Sequence, residues 1–292
     1  MKILLTGAQG QVGFELQRSL ACLGEVNATD RHTLDLSDDD AIRLFIQTYK
    51  PDLIVNAAAY TAVDKAETEY DLAMQLNARA PKVMAEEAKK LDIPLIHYST
   101  DYVFNGQNTL PWLEQDLTDP VNVYGKTKLL GEQGIAETGV AHLIFRTSWV
   151  YGQRGNNFLL TMKRLATQRD ELSVVDDQIG APTWCRHIAD ATAHIVAQGV
   201  ATNNLNQFIQ QQSGIYNLTG DGVTSWHGFA KAIFDVLEQQ GEKVADLHAI
   251  ATSAYPTPAQ RPHYSCLNNE KLVTTFGITL PDWQDSLDLV MK

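Results

Sequence analysis

A phenol and an ammonium stand four residues apart in Tyr124-Gly125-Lys126-Thr127-Lys128. On a helix that spacing puts both side chains on one face, where they can share a pocket. A phenol with an ordinary pKa of about 10 exchanges protons poorly at neutral pH, and a neighbouring cation stabilises its phenolate. The pair therefore suits a tyrosine that passes a proton to or from a carbonyl–alcohol couple. Alone, the pattern carries little weight. With ten tyrosines in the chain, chance supplies roughly half a match, and a solvated surface helix would look the same.

A second motif changes the balance. Gly7-Ala8-Gln9-Gly10-Gln11-Val12-Gly13 follows the apolar run Ile3-Leu4-Leu5 and precedes an amphipathic segment, Phe14 to Leu23. A further run, Gly24 to Ala28, ends at Thr29-Asp30. Strand, Gly-rich turn, helix, strand and terminal acid make a βαβ unit for a dinucleotide. Glycines allow a tight turn and close backbone approach to a pyrophosphate, whose charge faces the helix N-terminus. Asp30 can accept hydrogen bonds from the adenosine ribose, which favours a free 2′-hydroxyl as in NADH. Neighbouring Arg31 suits the 2′-phosphate of NADPH, so the choice stays open.

Composition narrows the class of partner. A net charge of −12 disfavours nucleic acid and anionic membrane surfaces, and no apolar run approaches a membrane span. The start, Met1 to Gly7, breaks too early for a signal peptide. Cys22, Cys185 and Cys266 form neither a disulfide framework nor a metal cluster, which points to reducing cytoplasm. No histidine pair has metal-ligand spacing; His97, His142, His187 and His227 read as packing or surface residues.

The elements that must hold these residues alternate through the first half, as in a parallel sheet covered on both faces. Leu53 to Asn56, Ile93 to Tyr98 and His142 to Arg146 read as buried strands, with the Tyr124 helix between the last two. Ser37 starts a helix that Pro51 ends, and Glu67 to Lys90 reads as one long helix that Pro81 kinks or divides. Later come strands at Leu172 to Val175 and Ile215 to Leu218, and helices at His187 to Gln198 and Trp226 to Gln239. Thr202 to Gln212, rich in Asn and Gln, reads as an exposed connector. The fold class expected is α/β: a Rossmann-type doubly wound parallel sheet with a smaller C-terminal α/β substrate-binding region. Residues 1–154 form the dinucleotide-binding domain and 155–292 mainly the substrate region, with some segments returning to the Rossmann domain.

With Ser99-Thr100-Asp101 placed after a strand, these motifs make the chain resemble the extended short-chain dehydrogenase/reductases. Further segments narrow the resemblance. They are Asn56 to Asp64, His97 to Phe104, Arg146 to Tyr151, Gly155 to Phe158, Ser253 to Pro258 and Arg261-Pro262. Together they resemble the dTDP-4-dehydrorhamnose reductase family over nearly the whole chain. The Gly-rich and Tyr/Lys motifs identify only the superfamily; the strand-end segments are more specific.

The resemblance implies an NADH- or NADPH-dependent oxidoreductase acting on a dTDP-sugar, reducing the C4 ketone of dTDP-4-dehydro-β-L-rhamnose. By resemblance Tyr124 donates the proton, Lys128 holds the ribose and lowers the pKa of Tyr124, and Thr100 hydrogen-bonds the ketone oxygen. Gly7, Gly10, Gln11, Val12 and Gly13 face the pyrophosphate, Asp30 the ribose, and Asp35 and Leu36 the adenine. Ala59, Tyr60, Thr61 and Tyr98 line the nicotinamide half. Thr100, Asp101 and Trp149 contact the sugar, Asn157 lies in the sugar-nucleotide region, and Arg261 suits the diphosphate.

Each role has a rival. Ser99 competes with Thr100, Trp149 with a core position, and Arg261 with a solvated loop residue. Dehydratases of this superfamily carry Thr-Asp-Glu where this chain has Thr100-Asp101-Tyr102, so the extra acid/base for eliminating water is missing. An epimerase and a non-catalytic dinucleotide-binding subunit are the remaining alternatives. The resemblance also carries a homodimer bridged by Mg²⁺ through carboxylates such as Glu15. Arg186 and His187 stand where a further acid is wanted, so no metal ligand is assigned.

Overall fold

A computed structural model describes residues 1–292. Ile3, Leu4 and Leu5 are all fully buried, as a strand with both faces covered must be. They lie in β1 (Lys2–Thr6), followed by β2 (Glu25–Thr29), β3 (Leu53–Asn56), β4 (Leu95–Thr100) and β5 (His142–Thr147). With the strand Gly214–Asn217 these make one six-stranded sheet, ordered 214–217, β5, β4, β3, β1, β2. Every pairing is parallel. From β1 the chain goes to β2 on one side and returns to β3 on the other. That reversal opens a crevice at the C-terminal ends of β1 and β3, where such sheets bind ligands.

Helices cover both faces. On one, α1 (Gln11–Leu20) and the helix Cys185–Ala201 share a core with the sheet through Leu16, Leu20, Ile188 and Ile195. On the other, α2 (Asp39–Tyr49) and the helix Ala80–Leu91 contribute Ile42, Ile46, Val83 and Met84. Each such side chain is worth about 1.5–3 kcal/mol when fully buried. The cap of α2 is Asp38, one residue beyond the expected Ser37. Its carboxylate accepts from Asp40 N and Ala41 N at 2.9 and 3.0 Å, a cap worth about 1 kcal/mol.

A separate core joins the helices Phe158–Gln168, Trp226–Gln239 and Trp283–Met291 through Leu159, Phe229, Ile233 and Leu287. Beside it, Glu171–Val175 pairs in parallel with Asp246–Ile250. Strand Gly214–Asn217 and helix Cys185–Ala201 instead belong to the large sheet's layers.

Two expectations need correction. Glu67 to Lys90 is not one helix broken at Pro81. Helix Tyr70–Met74 widens into a π-helical segment, Gln75–Arg79, before Ala80–Leu91. Pro81 has no N–H for the Asn77 carbonyl, and the widened turn absorbs the loss. The freed carbonyl lies against Gly131, where a Cβ would stand 2.1 Å from it. Nor is Thr202 to Gln212 a mere connector. Asn204 caps a helix, Leu205–Gln211, accepting from Gln207 N at 3.0 Å, and Ile209 is fully buried. Leu205, Phe208 and Ile209 have the i, i+3, i+4 spacing that the Asn/Gln content hides.

Candidate active site

Tyr124 and Lys128 sit in the first turns of the helix Val123–Glu137, capped by Asn122 through a bond from Gly125 N at 2.8 Å. Gly125 is required there: a Cβ would lie 2.1 Å from the Tyr102 carbonyl. This close approach sets the turn after β4 against the helix, and the Tyr102 ring meets Tyr124 edge-on, with centroids 5.6 Å apart. Burial pushes the Tyr124 phenol up to about 12; the facing Thr100 hydroxyl pulls it down and Asp101 adds to the rise.

Lys128 is 1% exposed, and its Nζ donates to the Tyr98 carbonyl at 2.5 Å and lies 3.1 Å from His97 Nε2. Burial lowers it to about 8, against a raising influence from Glu132. Lys128 is held on β4, and the Tyr124 phenol is shifted by burial, Thr100 and Asp101 rather than by the lysine.

Thr100 ends β4. Its hydroxyl donates to Asp101 Oδ1 at 2.9 Å and accepts from Tyr102 N at 3.2 Å. Asp101 is 2% exposed; burial raises it to about 7 despite the hydroxyls of Thr100 and Ser265. Ser265 turns its hydrogen toward the Ile179 carbonyl (3.3 Å), and Asp101 Oδ2 is buried with no partner. The Ser99 hydroxyl is likewise buried and unpaired, whereas that of Thr100 faces Tyr124.

At the crevice, Gly7 has φ 75°, and a Cβ there would stand 2.6 Å from Ala58 N. A Cβ on Gly13 would stand 2.1 Å from the Gly7 carbonyl. These contacts draw the turn tight against β3. Gly10 caps α1 without a side-chain bond, so the N–H groups of Gln11, Val12 and Gly13 are open to an anion. This is a cradle that fits a pyrophosphate.

Asp30 follows β2 and is tied into its own turn, accepting from His32 N, Thr33 N and the Thr33 hydroxyl at 3.0–3.1 Å. Those bonds hold its carboxyl below the usual range. Asp35 accepts from Ser37 N at 2.9 Å, and the Leu36 carbonyl accepts from Gln75 at 3.3 Å. Ala59 and Tyr60 are half-buried and Thr61 exposed. Tyr60 bonds Glu69 at 2.7 Å. Tyr98 turns its phenol away, onto Thr192 of the helix Cys185–Ala201 at 2.8 Å, and offers the site its carbonyl.

Trp149 has φ 45°, a left-handed strain of roughly 1–3 kcal/mol, and its ring stacks on Trp226 with centroids 3.5 Å apart. It also lies over Gly180, where a Cβ would come within 2.5 Å. Trp226 and Gly180 thus both lie over the indole ring, and the residue is half-buried rather than core. Asn157 caps the helix Phe158–Gln168 and donates to Gln11 Oε1 at 2.8 Å, joining the substrate region to the Gly-rich turn. Arg261 holds Asp64 bidentately at 2.7 and 3.0 Å and donates to Thr257 and Ala259. Its fork is filled by protein. Glu15 pairs with Arg18 and Arg186 at 3.2 and 3.1 Å, a cationic setting that does not fit Mg²⁺.

Sequence reasoning missed three residues. His97 is fully buried between Lys128 and Asn56, because it shares β4 with Thr100. Asn77 holds the backbone of Tyr60 at both N and O, and also Thr127, an effect of the π segment that no spacing rule signals. Arg154 stacks on Phe14 at 4.1 Å and bonds Gln9, over the Gly-rich turn.

A doubly wound parallel sheet with a Gly-rich switch point, and a Tyr-x-x-x-Lys helix over the end of β4, define an extended short-chain dehydrogenase/reductase. The RmlD substrate binding domain family matches residues 1–292, and the chain belongs to that family. A dTDP-4-dehydrorhamnose reductase of Shigella flexneri is 49% identical over 290 residues, covering 97% of this chain and 95% of its own. Its counterpart in Burkholderia thailandensis is 49% identical over 296 residues, covering 100% and 98%. Among solved structures, the reductase of Clostridium acetobutylicum has a TM-score of 0.90 at 38% identity, covering 100% of this chain and 98% of its own. That of Bacillus anthracis, in complex with NADP, has 0.87 at 33%, covering 99% and 98%.

Proposed function

We propose that this chain reduces the C4 ketone of dTDP-4-dehydro-β-L-rhamnose, giving dTDP-β-L-rhamnose in the last step of dTDP-L-rhamnose formation. One observation carries the reaction type: a protonated Tyr124 phenol faces the Thr100 hydroxyl, with Tyr102 packed edge-on beside it. Tyr102 stands where eliminating water calls for a glutamate, and its buried phenol is no substitute for that carboxylate. Similarity to the named reductases over nearly the whole chain supports the substrate.

A bound nicotinamide dinucleotide supplies the hydride. The N–H groups of Gln11, Val12 and Gly13 hold its pyrophosphate, Asp30 its ribose, Asp35 and Leu36 its adenine. Ala59, Tyr60 and Thr61 flank the nicotinamide half. Thr100 turns its one hydroxyl proton from Asp101 Oδ1 to the ketone oxygen and stabilises charge as it grows there. Tyr124 gives that oxygen its proton, and Lys128 supports the resulting phenolate. Trp149, backed by Trp226, presents its free edge to the sugar. Asp101 holds Thr100 in place. Free Cys22, Cys185 and Cys266 support a cytoplasmic setting.

Tyr124→Phe keeps the ring and removes the proton. Turnover with the dTDP-ketosugar should fall by about a hundredfold or more while cofactor affinity holds. Near-normal turnover would remove Tyr124 from the chemistry.

A further inference from the structure

A run of hydrogen bonds leads from the end of β1 to the buried lysine. Thr6 Oγ1 donates to Asn56 Oδ1 at 2.6 Å, and the Ala58 backbone N–H donates to the same oxygen at 3.2 Å. A backbone N–H can only donate, so this contact fixes the Asn56 amide with its oxygen toward Ala58 and its NH₂ toward His97. Asn56 Nδ2 lies 3.0 Å from His97 Nδ1, which must therefore accept. Burial by itself drives the imidazole well below its ordinary pKa, so it is neutral. Its one proton is then on Nε2, and that N–H points at Lys128 Nζ, 3.1 Å away.

An ammonium has three donors and no acceptor, whereas an amine has a lone pair. The His97 N–H therefore matches uncharged Lys128 and opposes the charged form. The bond from Lys128 to the Tyr98 carbonyl suits either form. We propose that His97 is a positioning residue whose Nε2–H favours the uncharged amine of Lys128 in the resting site and holds it on β4.

Other charges do not replace this influence. Glu132, one turn along the helix, favours the ammonium, but Arg146 of β5 grips it at 2.7 and 2.9 Å. Asp101 engages Thr100, and Tyr124 is protonated. On the segments packed against the helix, Arg79, Lys82 and Asp64 are paired with Asp39, Glu137 and Arg261. Charged Lys128 is the form that supports Tyr124, so reduction should decline as the lysine loses its proton.

Two measurements test this, and only the kinetic one rests on the reductase reading. In the native chain labelled with ¹⁵N-histidine, NMR should show His97 neutral with the proton on Nε2 from pH 6 to 9. A proton on Nδ1, or an imidazolium, overturns the proposal. In kinetics, His97→Gln can turn its amide oxygen to Lys128. Asn56→Asp puts a carboxylate, which can only accept, where the parent amide donates, moving the His97 proton to Nδ1 and leaving Nε2 to accept. Both swaps should raise the basic limb of kcat/KM by about one pH unit, the scale of one charge-assisted hydrogen bond. A folded variant, judged by an unchanged Tm, whose limb stays put also overturns it. Should neither variant fold, the native tautomer decides. A parent chain that never turns over the ketosugar counts against the reductase reading and leaves the NMR result intact.

Discussion

Asp101→Asn exchanges a buried carboxyl for an amide of the same shape and isolates one titration. In the folded chain burial raises Asp101 to about 7, against an ordinary carboxylate value of 3.8. A group whose folded pKa is raised binds its proton more tightly in the native state. Its contribution to stability is full below about pH 4 and is lost as pH climbs from about 4 to about 7. A gap of roughly three pH units, at about 1.4 kcal/mol each, makes the loss about 4 kcal/mol. For a chain of this size that is on the order of 8 °C in Tm. Buried His97 titrates with the opposite sign, so the parent alone mixes both effects. The informative quantity is the difference between parent and Asp101→Asn, measured by thermal melting at half-unit steps from pH 4 to 8. The variant should gain on the parent throughout the window and level off above about pH 7.5. Parallel curves would refute the buried titration.

Cofactor choice is expected to turn on Asp30, which follows β2 beside exposed Arg31. The parent should use both NADH and NADPH, and Asp30→Ala should shift the kcat/KM ratio several-fold toward NADPH; an unaltered ratio would remove Asp30 from the ribose. Trp149→Ala removes a half-buried ring stacked on Trp226, so KM for the ketosugar should rise about tenfold or more while KM for the cofactor holds. Equal damage to both constants with a large drop in Tm would return Trp149 to the core.

Local patterns foretold the elements that position the site. Ile3 to Leu5, Leu53 to Val55 and Leu143 to Phe145 are apolar because both faces of a parallel strand are covered, so burial could be read directly. Gly7 to Gly13 and Tyr124 to Lys128 were legible because their chemistry depends on short spacing. What escaped depends on partners far apart in the chain. Lys128 and His97 are 31 residues apart, and Arg261 and Asp64 are 197 apart. The π segment at Gln75–Arg79 precedes Pro81 and sets the Asn77 carbonyl against Gly131, a tertiary contact. The helix at Leu205–Gln211 was masked by averaging composition over a tract whose three apolar residues share one face.

Reduction of a dTDP-ketosugar by this chain is tested most directly by a coupled assay. Purified protein is mixed with enzymatically made dTDP-4-dehydro-β-L-rhamnose and NADH or NADPH, with absorbance at 340 nm and product identity followed together. The expected result is cofactor oxidation matched one to one by dTDP-β-L-rhamnose, and almost none with Tyr124→Phe. No oxidation by a folded, cofactor-binding protein, or oxidation that Tyr124→Phe leaves untouched, would contradict it.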